Sequence, residues 1–317
     1  MTQALNSPQA LLNGVAPLPD LGVIRARGDD AASFLHGQLT QDVLLLPDGQ
    51  ARLAGYCSAK GRLLASFVLL RLSVSEIWLV CDKALLPGTL KRLSMFVLRA
   101  KVKLDDASAE LAVRGLAGES ALRALPADRP AWAAAGHANG HAIALYPAAG
   151  VARALWVGPV ADAGLPGPSL PESVWAWSEV LAAVPTPGAL QIDTFVPQML
   201  NHESVGGVNF KKGCYPGQEV VARSQFRGTL KRRTCLAHGP ALAQAPAPGQ
   251  EVFLAGDEPD QPSGVVVQSA VSPLGGVDLL AVVQVTAGGA GTVWHLGSPT
   301  GPELTVQALP YPLLEDI

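Results

Sequence analysis

The sequence predicts an α+β protein that ends in a small all-β unit, and three observations carry that expectation. Short strand-like runs alternate irregularly with a few amphipathic helical stretches over the first 190 or so residues. Past residue 250 only strand-like pieces remain, at 264–267, 278–285 and 304–306, separated by Gly and Pro. Short strands at that spacing suggest an antiparallel barrel or sandwich. The composition is that of a folded chain with stiff loops: 49% apolar, 15% charged, 33 Gly and 26 Pro. At 317 residues there is room for two or three domains.

The elements follow in order. LGVIRAR at 21–27 reads as a strand. GDDAASFLHGQLTQDV holds a helix capped by Asp29 or Asp30, with Ala32, Phe34, Leu35 and Leu39 on its apolar face. In LPDGQARLAGYCSAKGRLLASFVLLRL, Asp48-Gly49 and Lys60-Gly61 are turns that join strands. A further strand covers about 76–81. A helix spans about 84–97, with Pro87 near its start and Leu90, Leu93 and Phe96 or Val97 on one face. AKVKLDD alternates as a strand. ELAVRGL, IALYP and ARALWVG are strands of a second group, ESALRAL is a helix, and GLPGPSLPES at 164–173 is a loop. A helix runs from Trp175 to about Ala183 and is ended by PTPG. AHGPALAQAPAPGQEVF, rich in Pro and Ala, is the junction before the last unit.

Several classes are excluded or disfavoured. No apolar run reaches the roughly 18–20 residues that span a bilayer. FVLLRLSVSEIWLV at 67–80 is interrupted by Arg71 and Glu76 and reads as two strands. The N-terminus lacks a basic start and an apolar stretch of signal-peptide type, so a cytoplasmic protein without membrane contact is expected. The net charge of −3 (23 basic, 26 acidic) gives no global steering toward nucleic acid. Cys57, Cys81, Cys214 and Cys235 form no CxxC pair, so free thiols and no permanently bound metal are expected. P-loop and dinucleotide fingerprints are absent.

The chemistry concentrates in KKGCYPGQEVVAR at 211–223. Gly213 and Gly217 permit close backbone approach. Pro216 can open a helix that QEVVARS continues, placing Cys214 near its N-terminus, where unpaired amides and Lys211 and Lys212 favour an anion such as a thiolate. A buried small cysteine in a tight turn explains the same residues. Glu219 and Arg223, four apart, form either a surface pair or a carboxylate held to accept from a heterocycle's N–H groups. A Cys–His dyad needs a histidine supplied by the fold, since His202 is distant in sequence. The run 211–233 carries seven basic residues against Glu219, a local +6 that suits a phosphate backbone, an acidic cofactor tail or plain solvation. Upstream, Gln198, Asn201 and Glu203 are polar residues in an apolar setting. Of Trp175 and Trp177, one can pack in the core while the other is available for stacking.

GGVNFKKGCYPGQEVVARSQFRG resembles the signature of the YgfZ family, folate-binding relatives of the glycine-cleavage aminomethyltransferase. FLHGQLTQDV, YCSAKGRLLASF and LPYPLLED resemble other segments of that family, so the likeness covers about 20–315. It implies a ring of two α+β units around a central folate channel, with a C-terminal antiparallel β-barrel. The chain then divides into 1–238, with a second unit at about 107–190 and 191–238 packing back on the channel, and 239–317. The resemblance also implies a tetrahydrofolate-type ligand, iron–sulfur client enzymes as partners, including a radical enzyme that modifies tRNA, and hence tRNA as an indirect partner. The family's characteristic cysteine falls on Cys214, with Lys212 beside it, and its folate-binding tryptophan on Trp175. Tyr215, Gln218, Glu219, Arg223 and Gln198 are expected to shape the ligand site. Leu21 stands at the family's other aromatic position. Asp82 is the only acid near the position of the transferase aspartate and is counted as too early in the chain, which argues against autonomous aminomethyl transfer. A folate-dependent transferase, a direct tRNA-binding protein and a structural scaffold are the alternatives.

Overall fold

The computed structural model describes residues 7–126, 128–228 and 230–314. Residues 1–6 of the N-terminal reading, and Glu315 and Asp316 of the tail motif, lie outside them. The chain opens with one turn of helix, α1 (Pro8–Leu11), and a four-residue strand, β1 (Gly14–Pro17). Neither is anticipated above, because four residues carry no readable period.

The strand β2 (Leu21–Arg27) coincides with the LGVIRAR run. The helix α2 (Ala31–His36) buries Ala31, Ala32, Phe34 and Leu35, with Leu39 buried just beyond it. Asp30 occupies the N-cap position but makes no cap bond; its Oδ2 accepts the Lys101 amide instead, tying the helix to a distant segment. The Lys60-Gly61 turn joins β3 (Gln50–Cys57) to β4 (Leu63–Ser73) as expected. Asp48-Gly49 joins no strand to β3, since the chain before it is irregular and Gly49 instead donates to the Arg71 carbonyl. After β5 (Glu76–Asp82), the helix α3 (Leu86–Ser94) is shorter than its sequence pattern, because Met95, Phe96 and Leu98 beyond it face solvent rather than a core. With β6 (Lys103–Asp106) these strands form an antiparallel sheet of order β3-β4-β5-β2-β6.

The second sheet uses β7 (Leu111–Ala117), β8 (Ala134–His137), β9 (Gly140–Ala144) and β10 (Arg153–Pro159), with α4 (Glu119–Ala124) inserted after β7. Its order is β1-β7-β10-β9-β8, so the first strand of the chain closes the edge of this sheet, not of the one that follows it in sequence. The helix α5 (Glu172–Leu181) starts three residues earlier than expected, with Pro171 at its N-cap. α6 (Gln218–Phe226) leads into the C-terminal unit.

That unit is a closed six-stranded barrel, which decides between barrel and sandwich. Its strands are β11 (Arg232–Gly239), β12 (Glu251–Leu254), β13 (Gly264–Val271), β14 (Val277–Gln284), β15 (Val293–Leu296) and β16 (Glu303–Gln307). The Pro- and Ala-rich stretch runs from the end of β11 into β12, so its middle is a loop between two barrel strands and not a junction ahead of the barrel, which begins at β11.

Period-2 alternation gives each sheet two apolar faces. The outer face of the first packs Ile24, Phe67 and Leu69 on Leu35 of α2 and Leu93 of α3. The outer face of the second packs Ala142 and Trp156 with Ala121 of α4. The inner faces meet: Leu70 and Val80, Ile143 and Leu155, Trp175 and Trp177 of α5, and Leu236 and Leu280 of the barrel belong to one core. Trp177 also ties α5 to the barrel, its Nε1 donating to Asp278 Oδ2 at 2.7 Å. Among the described residues no helix is long and apolar enough to cross a membrane.

Candidate functional site

Where the two inner faces meet under α5 they leave a cavity of about 450 Å3. Leu53, Val68, Val80 and Leu155 give it apolar walls, and Trp132 and Tyr146 add aromatic ones. Its strongest polar feature is Arg153. On β10, residues 153, 155 and 157 point to the same face, so Arg153 enters the core beside Leu155. Its side chain is 4% exposed and its Nη2 lies 4.0 Å from Glu179 Oε1. Nη1 reaches the Tyr146 carbonyl at 3.4 Å, while Nε and Nη2 are buried without a hydrogen-bond partner. Burial pulls the guanidinium down to about 10, with Glu179 opposing. Glu179, one helical turn past Trp175, lines the same cavity, and burial raises its carboxyl pKa while Arg153 opposes the rise. Buried cations ordinarily have their donors satisfied, so this one has capacity for an acceptor inside the cavity.

Trp175 lines the same cavity and is 2% exposed. A Cβ on Gly115 would stand 2.5 Å from its ring, so the ring lies directly on the β7 backbone, and only glycine permits this. The Arg153 guanidinium covers the ring at 4.4 Å from its centroid. With the strand on one face and the guanidinium on the other, Trp175 presents its edge, and Nε1 there is buried without a well-formed hydrogen bond, though near enough to Glu179 to favour its ionised form. It does not offer the stacking face anticipated from the sequence. Leu21, at the expected aromatic position, lines the cavity, and Tyr146 and Trp132 stand in the same wall. Asp82, counted above as too early in the chain, is in the cavity wall at the end of β5, where its Oδ1 accepts the Ala84 amide.

The Cys214 loop is a separate site. Lys212 is buried: its Nζ donates to the carbonyls of His36 and, at 2.8 Å, Leu39, and sits over the Tyr215 ring at 4.8 Å. It thereby satisfies carbonyls at the end of α2 that the helix leaves open. Burial pulls its ammonium down to about 8. Tyr215 is buried beneath it, and burial pushes its hydroxyl up. The Gln218 side chain reaches the Lys212 carbonyl at 3.4 Å, and Gln198, fully buried, donates to the Val221 carbonyl at 2.7 Å. Gly217, with φ of 79°, is the N-cap of α6, so Pro216 lies outside the helix that it was expected to open.

Cys214 is exposed, three residues before that cap, whereas Cys57, Cys81 and Cys235 are buried with thiols pushed up to about 12, 12 and 11. The histidine that the fold brings to the loop is His36, not His202. A Cβ on Gly213 would lie 3.4 Å from His36 Nε2. His36 Nδ1 is 3.2 Å from Asp42 Oδ1, a close approach outside hydrogen-bond alignment that becomes an ion pair only when the ring is protonated. Burial and the Lys212 charge pull the imidazole below its ordinary range. Glu219 and Arg223 pair at 2.8 Å on the exposed face of α6.

Of the eight residues expected to act or to bind the ligand, Trp175 alone lines the cavity, joined there by Leu21 and Asp82. Lys212, Cys214, Tyr215, Gln218 and Gln198 belong to the loop and its supports, and Glu219 and Arg223 to the surface of α6. Sequence reasoning missed Arg153 and Glu179. Signals for both exist: an arginine in phase with the apolar face of ARALWV, and a glutamate four residues after Trp175 on one helix face.

No family model matches the chain. It is 34% identical over 247 residues to the protein named tRNA-modifying protein YgfZ of Vibrio vulnificus (strain YJ016), covering 77% of this chain and 76% of that one. It is 32% identical over 309 residues to the protein of the same name from Edwardsiella ictaluri (strain 93-146), covering 93% and 91%. Among solved structures it is similar to the glycine cleavage system aminomethyltransferase T from Bartonella henselae, with a TM-score of 0.68 and 17% identity over 96% of this chain and 89% of that one. At that identity the likeness is one of fold.

Proposed function

The chain belongs to the YgfZ family, whose members above are named tRNA-modifying proteins, and on that footing we propose that it is a folate-binding accessory protein supporting iron–sulfur cluster assembly or repair in client enzymes, tRNA-modifying radical enzymes among them. The observation that carries the folate part is the cavity with unpartnered buried donors on Arg153 and Trp175 beside the Glu179 carboxylate. A pterin presents donors and acceptors side by side on one edge. Arg153 and Trp175 Nε1 supply donors, Glu179 supplies an acceptor, and Tyr146 and Trp132 supply aromatic wall. The residues present therefore fit the ligand. Apolar walls exclude water around these groups and strengthen each polar contact.

The iron–sulfur part rests on the family resemblance of the Cys214 loop, together with the exposure of that thiol. Lys212, Tyr215 and Gln218 hold the loop so that Cys214 faces outward, where a client can meet it. The first test is calorimetric titration with tetrahydrofolate under anaerobic conditions. One-site saturable binding is expected; none up to about 1 mM ligand overturns the folate reading. For the thiol, Cys214→Ala in cells should lower client-enzyme activity, and unchanged activity removes it from the mechanism.

Asp82 in the cavity wall favours a second reading, folate-dependent aminomethyl transfer, in which that carboxylate would orient the reacting amine. Turnover with a methylene donor and an amine substrate, lost in Asp82→Asn, distinguishes it.

A further inference from the structure

Most cations of the basic run 211–233 take part in neither site, and the fold sorts the charges. Lys212 turns inward onto α2, and Arg233 is held by Glu203 at 2.6 Å and Asn201 at 3.2 Å. Lys211, Arg223, Arg227, Lys231 and Arg232 remain exposed. The β3–β4 turn adds two more. Gly61 packs on Val220 and on the Gly217 carbonyl, which sets the exposed Lys60 and Arg62 beside the start of α6. Against these seven cations stand Glu219, paired with Arg223, and Asp193, whose backbone carbonyl accepts from Arg62. The face is thus about +5 in a chain of net −3. Among the described residues, Lys60, Arg62, Lys211, Arg227, Lys231 and Arg232 have no ion-pair partner.

We propose that this face, centred on α6, docks the phosphate backbone of RNA. Three features favour RNA over an acidic protein. Four of the seven cations are arginines, whose planar fork matches phosphate. Phe226, 55% exposed and edge-on to Phe210 at 5.4 Å, offers a base-stacking surface inside the charged field. Beside the strip, Arg52, Lys211, Asn209 and Phe210 line a depression of about 340 Å3, whose one carboxylate, Glu203, is neutralised by Arg233. Cys214 is exposed in the same loop as Lys211, so RNA bound here lies next to the thiol. The inference rests on the family reading only in its choice of tRNA as the probe.

The test is binding of an unmodified tRNA transcript to the full chain by fluorescence anisotropy, between about 50 and 300 mM salt. Affinity should fall with a log–log slope of roughly −3 to −5, as five or so neutralised phosphates require. The quadruple variant Lys60→Glu, Arg227→Glu, Lys231→Glu and Arg232→Glu should lose at least about tenfold in affinity and show a shallower slope. Tetrahydrofolate titration of the same variant serves as the folding control. No binding by about 100 μM protein at low salt, or equal binding by the variant, overturns the proposal. Polyglutamate bound as tightly as tRNA, and displacing it, also overturns it, in favour of an acidic protein partner. Loss of tRNA binding with folate binding intact leaves the folate reading standing; tRNA binding by the unaltered protein without folate binding strikes that reading and not this one.

Discussion

Arg153 and Cys214 are opposites in solvent exposure, and each gives a measurable outcome. Cys214 is exposed while the other three thiols are buried and held protonated. Native protein should therefore release one equivalent of thiol to an aromatic disulfide reagent at pH 8 and four in denaturant, and Cys214→Ser should abolish the native equivalent. Arg153 is a buried guanidinium with two unpaired nitrogens and a carboxylate only at 4.0 Å. Its placement costs stability unless a ligand completes it. Arg153→Met should therefore leave thermal stability unchanged or raise it while weakening folate binding at least about tenfold, from the loss of a charge-assisted bond. A fall in both would mean that Arg153 acts as a packing element. Residue types at these positions are visible in the sequence; their exposures are not, because exposure depends on which strands flank them.

At the scale of elements, most boundaries followed from local pattern. LGVIRAR, the β3–β4 hairpin and α6 were legible because alternation and Gly-containing turns act over a few residues. Departures arose where a distant segment intervened. Asp30 caps nothing because Lys101 takes its carboxylate, and α3 stops when its core contact ends. The Cys214 loop was recognisable from its glycines, but the role of Gly217 needed its neighbour: a Cβ there would meet the Ser58 carbonyl at 2.3 Å, with φ at 79°. Gly217→Ala should lower stability by about 1–3 kcal/mol or more, since strain and clash add. It should also change the Cys214 alkylation rate, because the loop must move off the β3–β4 turn. Denaturant melts and timed iodoacetamide labelling check both.

For the whole molecule, acid stability depends on how remote segments meet. His202 is fully buried, its Nε2 donating to the Pro185 carbonyl at 3.0 Å and its Nδ1 unpaired, and burial pulls it from 6.5 down to about 4. Between these values the unfolded chain binds the proton first, so stability is full above about pH 6.5 and falls as pH drops toward 4. The loss amounts to about 3 kcal/mol. His202→Gln keeps a donor for Pro185 and should remove that part of the acid loss, read as a smaller shift of the urea midpoint between pH 7 and 4.5. An unchanged shift would place the acid sensitivity at other groups, such as His36 or His141, which burial also lowers.

The sequence by itself determined the α+β class with a β C-terminal unit, the hairpins, and the glycine-bracketed loop that carries Cys214, all properties of short-range pattern. Tertiary structure alone decided that β1 completes the second sheet, that the basic run splits into buried and exposed charges, and that Arg153 and Glu179 meet Trp175 in one cavity. The reason is separation along the chain. Gly115, Arg153 and Trp175 lie on two strands and a helix, and only the packing of inner faces brings the glycine's missing side chain, the ring and the guanidinium together.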